Sequence, residues 1–352
     1  MKRFTAILLG VIMVFALAAC RTETTIELAL VTDMGTIDDG SFNQGAWEGL
    51  VEYAEKNDIT HMYFPPASIG DDAYLDAIDL AVEAGAKLVV TPGFLFEVAI
   101  WYAQASHPDV KFVLLDGAPR NADRSDTTIG DNTVAVFYAE EQAGFLAGYA
   151  AVMDGYRSLG FIGGVPVPAV IRFGYGFVQG AEYAADKLGL DDVTVLYNYA
   201  FTFSPSPEVQ ALAASWYNAG VEVIFACGGG LGFSVMAAAE QNNGKVIGVD
   251  RDQAPDSETV ITSAMKGLAA SVYQSIAAFY DGAFPGGERK IFYAANGGVG
   301  LPIETSRFNT FTTEQYEAIF NQLANDEIEI ISEHEIEIAE LGLERVTVTE
   351  IN

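Results

Sequence analysis

From Ile26 onward, short apolar runs alternate with stretches of helical period, and this order constrains the fold more than any other feature of the chain. Strands that run parallel need long return connections, so such an order builds a parallel sheet covered by crossover helices. Strands are predicted at Ile26 to Thr32, Lys87 to Thr91, Val110 to Leu115, Ser158 to Ile162, Val193 to Tyr197, Glu222 to Ala226, Lys245 to Val249 and Val260 to Ser263. Helical stretches lie between them: Gly45 to Glu55, Asp71 to Ala84, Phe94 to Ala105, Phe137 to Met153, Phe177 to Leu188, Pro207 to Asn218 and Phe233 to Asn242. The helix from Phe137 carries a stripe of small residues (Ala143, Gly144, Ala147, Gly148, Ala151) and separates two comparable sets of strands.

The expected fold class is therefore α/β, with two doubly wound parallel-sheet lobes joined by a hinge. The first lobe is expected at 26–131 plus a segment crossing back at about 265–300, and the second at 132–263 plus part of the C-terminal tail. In that tail, Ile328/Ile330 and Ile336/Ile338 alternate as edge strands do.

Ahead of this pattern, Lys2 and Arg3 precede an apolar run from Phe4 to Ala19 that stops at Leu17-Ala18-Ala19-Cys20. The run is too short for a membrane span of about 20 residues, and small residues before a cysteine read as a signal peptide over 1–19 with a lipobox. Cys20 is the expected lipidation site, which would anchor the protein on the outer face of the cell membrane. The one other cysteine, Cys227, then has no intramolecular disulfide partner. Loss of Lys2 and Arg3 with the signal peptide lowers the 18 basic residues to 16, against 48 acids. Such a surface repels nucleic acid.

In an open α/β sheet, ligands bind beyond the carboxyl ends of the strands. Asp33, Asp116 and Asp250 each follow a predicted strand, and Gly228 begins the glycine run after another. An aspartate in that position either meets a ligand or caps the next helix. Ser41 and Gln44 have the spacing of a capping box. That spacing puts Phe42 and Asn43 in the first helical turn, as a stacking ring and a polar partner or as local packing. In the second lobe, Phe201 and Phe203 fall in a loop, and Phe201 is preferred as the second stacking ring. Lys266 follows the last predicted strand, where a cation at a helix start is unfavourable unless a carboxylate such as Asp250 pairs with it. Three carboxylates against one lysine suit a neutral ligand rich in hydrogen-bond donors. Gly228 to Gly230 lacks the residues of a phosphate loop, and His61, His107 and His334 have no metal-ligand spacing, so neither cofactor nor metal is expected.

Val31-Thr32-Asp33, Asp38-Asp39-Gly40-Ser41-Phe42-Asn43-Gln44, Val113-Leu114-Leu115-Asp116-Gly117, Gly248-Val249-Asp250 and Thr262-Ser263-Ala264-Met265-Lys266 resemble the basic membrane protein family. These are lipoproteins of the purine nucleoside receptor type. The resemblance implies a type I periplasmic-binding-protein fold and a non-enzymatic role as the substrate-binding component of an ABC importer, with a permease and an ATPase as partners. It also implies that Phe42 stacks on the base, that Asn43 and Asp116 read it with Asp33 nearby, and that Asp250 and Lys266 clamp the ribose. A sugar or autoinducer receptor of the same fold is the main competing reading. A nucleoside hydrolase and a surface adhesin are further ones.

Overall fold

A computed structural model describes residues 25–351. The signal peptide and the Cys20 lipidation site expected from the sequence lie outside the described residues. Among the described residues no helix is long and apolar enough to cross a membrane.

Two sheets form the frame. The first holds β1 (Leu28–Val31), β2 (His61–Phe64), β3 (Leu88–Pro92), β4 (Lys111–Leu115), β5 (Thr133–Tyr138) and β11 (Arg289–Phe292), in the order β11-β5-β4-β3-β1-β2. All its pairings are parallel. The second holds β6 (Ser158–Gly163), β7 (Val193–Tyr199), β8 (Val223–Cys227), β9 (Lys245–Asp250), β10 (Val260–Lys266), β12 (Val299–Gly300) and β13 (Val346–Glu350), in the order β12-β10-β9-β8-β6-β7-β13. Only the β10–β12 pair is antiparallel. Stripped of late additions, each sheet repeats one order, β2-β1-β3-β4-β5 and β7-β6-β8-β9-β10, and so carries one topological switch point, beside β1 and beside β6.

Helices α1 (Phe42–Lys56), α2 (Asp71–Glu83) and α3 (Glu97–Ser106) belong to the first half of the chain, and α4 (Glu140–Met153) follows β5. Helices α5 (Pro168–Leu188), α6 (Pro207–Asn218) and α7 (Leu231–Asn242) belong to the second half, and α8 (Leu268–Tyr280) and α9 (Thr313–Ala324) come later. The chain passes between the sheets three times: from β5 into α4, from β10 into α8, and from β11 into β12. The small-residue stripe of α4 lets α5 come very close. A β-carbon on Gly144 would sit 2.1 Å from the carbonyl oxygen of Phe173, and one on Gly180 would sit 2.0 Å from that of Phe145.

Several expectations need correction. Residues 133–138 form β5 of the first sheet, so the break expected after residue 131 falls one strand too early and the helix expected from Phe137 starts at Glu140. Thr-Val-Ala-Val-Phe-Tyr is a β-branched run buried on both faces, and it merges in sequence with the apolar helix behind it. The isoleucine pairs at 328/330 and 336/338 form no strand. They pack on the core, while the backbone of this segment bonds to side chains of α5: Gln179 exchanges hydrogen bonds with Ile331, and the Tyr175 hydroxyl donates to the Ile336 carbonyl. The sheet edge is taken instead by β13, beside β7.

Candidate ligand-binding cleft

Both switch points open onto one cavity between the lobes, with about 490 Å3 of non-atom space when the solvent-open mouth is counted in. From the first lobe it is lined by Asp33, Asp39, Phe42 and Asn43, and from the second by Phe173, Phe203, Gly228 and Asp250, with Lys266 at the second interlobe crossing. The lobes are closed on each other. The Ser41 hydroxyl donates across the cleft to Asp250 Oδ2 (2.5 Å), and Gln253 Nε2 donates to the Gly40 carbonyl (2.8 Å).

Asp39 explains why Ser41 is free to do this. Its Oδ1 accepts from the backbone N–H of Ser41 and Gln44, and its Oδ2 from that of Asn43, so Asp39 caps α1 in place of the expected Ser41/Gln44 box. Asn43 is committed to the same knot. Its amide hydrogens go to Asp33 Oδ1 (2.9 Å) and Asp39 Oδ2 (3.0 Å), so it aims carboxylates rather than offering free donors to a ligand. Burial raises the Asp33 carboxyl to about 6, and bonds from Gly35 and Asn43 offset only part of that.

Asp116 and Asp250 both adopt left-handed backbone (φ 58° and 68°), a conformation that aspartate tolerates better than most residues. Asp250 is buried and held above the ordinary carboxylate range by that burial, which Lys266 and Ser41 partly counter. Asp116 does not line the cavity directly. It lies behind Lys266, with Oδ2 2.5 Å from Nζ and Oδ1 buried without a hydrogen-bond partner, and burial lifts it to about 7 against the pull of Lys266.

Lys266 is buried at the centre of the site. Its Nζ contacts Asp116, Glu140 Oε1 at 3.1 Å and Asp250 Oδ1 at 4.0 Å, and lies 4.8 Å from the Phe42 ring centroid. Burial alone would discharge the amine, but the three carboxylates outweigh it and keep the ammonium form. Gly228 is required by backbone contact: a β-carbon there would meet Gly164 N at 2.8 Å.

Phe201 is not brought to the site. It is 72 % exposed at a left-handed turn (φ 54°), which swings its ring outside, and Phe203, two residues on, lines the cavity instead, packed on Gly164. Sequence reasoning also missed Asp39, Glu140, Arg172, Phe173 and Gln253. Of these, only Asp39 carried a local signal, as an acid three residues before a helix start.

The profile of the family described as "Bmp: ABC transporter substrate-binding protein PnrA-like" matches residues 26–334. The ABC transporter nucleoside-binding protein BmpA of Lactococcus lactis subsp. cremoris is 30% identical over 326 residues, covering 83% of this chain and 89% of the relative. Basic membrane protein B of Borreliella burgdorferi is 28% identical over 313 residues, with 86% of each chain covered. In fold, a solute-binding protein of an ABC transporter system from Aeropyrum pernix superimposes with a TM-score of 0.76 at 21% identity, over 88% of this chain and 94% of that one. With its two parallel-sheet lobes of the type I periplasmic-binding fold, the chain belongs to the PnrA-like family of ABC transporter substrate-binding proteins.

Proposed function

We propose that the protein captures a purine nucleoside outside the cytoplasm, tethered to the membrane through acylated Cys20, and presents it to an ABC permease and its ATPase without altering it. The observation that carries this reading is that Phe42 from one lobe and Phe203 from the other line a single cavity whose polar groups are mostly carboxylates. A flat base slides between two rings, and stacking of this kind contributes about 1–3 kcal/mol per base in nucleic-acid systems. Carboxylates favour a ligand that donates. Asp116 Oδ1, behind Lys266 in the closed cavity, lacks a donor; where ligand entry opens access to it, the N1–H of guanosine or inosine supplies one and neutral adenosine has only an acceptor. Asp250 accepts from a ribose hydroxyl in place of Ser41, and Lys266 donates to its neighbour. The description of the lactococcal relative as nucleoside-binding points the same way.

Closure is the mechanism. A ligand that touches both lobes stabilises the shut form in proportion to its extra contacts there, and the permease reads that shape. Calorimetric titration with inosine, guanosine, adenosine, cytidine and ribose tests the reading. Inosine and guanosine are expected to bind most tightly, and binding no tighter than ribose by any nucleoside would sink it. Inosine recovered intact after long incubation separates a receptor from a hydrolase.

A further inference from the structure

We propose that Glu140, with Arg172 behind it, is a positioning residue that fixes Lys266 on the cleft floor and leaves one oxygen of Asp116 without a hydrogen-bond partner. Glu140 opens α4 at the first interlobe crossing, Lys266 ends β10 at the second, and Arg172 lies on α5 of the second lobe. Glu140 has no exposed surface. Its Oε2 accepts from Arg172 Nε at 2.6 Å, while its Oε1 stands 3.1 Å from Lys266 Nζ without hydrogen-bond alignment. The second contact is thus mainly charge attraction. The result is an alternating row, Arg172, Glu140, Lys266, Asp116, that runs from α5 through the hinge to the first lobe.

Charge order gives the row its use. With Glu140 in place, the ammonium of Lys266 is shared between the hinge and Asp116, and a single Asp116 oxygen suffices for it while the other stays unbonded. Without that second anion, the ammonium has only Asp116 and Asp250 to neutralise it and is drawn off the floor toward them. Glu140 does not line the cavity and acts through Lys266. The part of the inference that concerns the ligand rests on the nucleoside reading; the part that concerns Lys266 and Asp116 does not.

The test follows the carboxyl carbon of Asp116 by NMR pH titration of the ligand-free full chain, assigned with Asp116→Asn. Asp116 is faced by Lys266 from β10, Glu140 from α4, Asp250 at the end of β9, Tyr138 from β5, Cys227 from β8 and, at longer range, Arg172 from α5. Glu140→Gln keeps the shape and removes one anion, so the Asp116 midpoint should fall by about one unit. Arg172→Gln removes a cation and should move it the other way. Opposite shifts support the row, and unchanged or same-direction midpoints overturn it; if Glu140→Gln does not fold, Arg172→Gln alone decides by a rise or its absence. Nucleoside affinity is measured alongside, and Glu140→Gln should weaken it about tenfold or more. A wild type that binds no nucleoside sinks the functional reading while the titration still decides this one, and equal affinities in wild type and Glu140→Gln overturn the positioning role.

Discussion

Two sets of carboxylates in this molecule are held in opposite ways. Asp154, at the end of α4, and Glu182, on α5, clasp the C-terminal chain. Asp154 Oδ1 accepts from the backbone N–H of Asn309, Thr310 and Phe311, and Glu182 accepts from those of Glu344, Arg345 and Val346. Rigid donors saturate these acids, and nothing a ligand brings can improve on them. The cleft acids instead meet a few side chains that can turn away: Asp250 has Ser41, Asp116 has Lys266, and one Asp116 oxygen has nothing. Saturated acids hold the fold together, and under-satisfied acids store an unmet demand for donors that a ligand can fill.

If that distinction holds, removing charge from the two places has different signatures. Lys266→Met leaves three buried carboxylates without their shared cation. Breaking a buried pair in this way costs about 3–5 kcal/mol, which urea unfolding should register together with complete loss of nucleoside binding. Asp154→Ala strips partners from three backbone N–H groups and should cost about 2–4 kcal/mol of stability, yet leave affinity in calorimetry unchanged. An affinity loss in Asp154→Ala as large as that in Lys266→Met would erase the contrast.

The sequence exposed one of these two sets far better than the other. Cleft aspartates follow apolar strands directly, so Asp33, Asp116 and Asp250 could be found one at a time from their local context. Periodicity located the repeated βα order for the same reason, since each element writes its own pattern. What escaped depends on contacts between distant segments. Glu140 and Arg172 are 32 residues apart and meet only because glycines let α4 and α5 approach. The edge strand β2 is only four residues long, and its apolar run of Met62, Tyr63 and Phe64 is too short to stand out from a loop. At Phe201, composition named the right loop, but the ring's direction is set by one left-handed residue whose φ no pattern announced.

That turn supplies the sharpest control within the cleft itself. Phe203→Ala should weaken nucleoside binding by about 1–3 kcal/mol through lost stacking. Phe201→Ala, at a ring that is largely exposed, should change affinity by less than about 0.5 kcal/mol. The reverse ranking would mean that the loop swings on binding and that the closed cavity seen here is not the one that holds ligand.

The smallest effect tests the comparison at a single acid. Asp33 is half-buried, with a carboxyl raised to about 6 from an ordinary value of 3.8. A raised folded value means that its contribution to stability is fully present below about pH 4 and is lost as the pH climbs through about 6. Asp33→Asn cannot ionise. It should match the wild type near pH 4 and exceed it at neutral pH by about 1–2 kcal/mol, less than the full shift implies because the group keeps some solvent. Urea unfolding of the ligand-free proteins at the two pH values measures this, and repeating it with saturating inosine should show a smaller gain from ligand in the variant. A variant no more stable than the wild type at neutral pH would place Asp33 with Asp154, among the acids whose partners are complete before any ligand arrives.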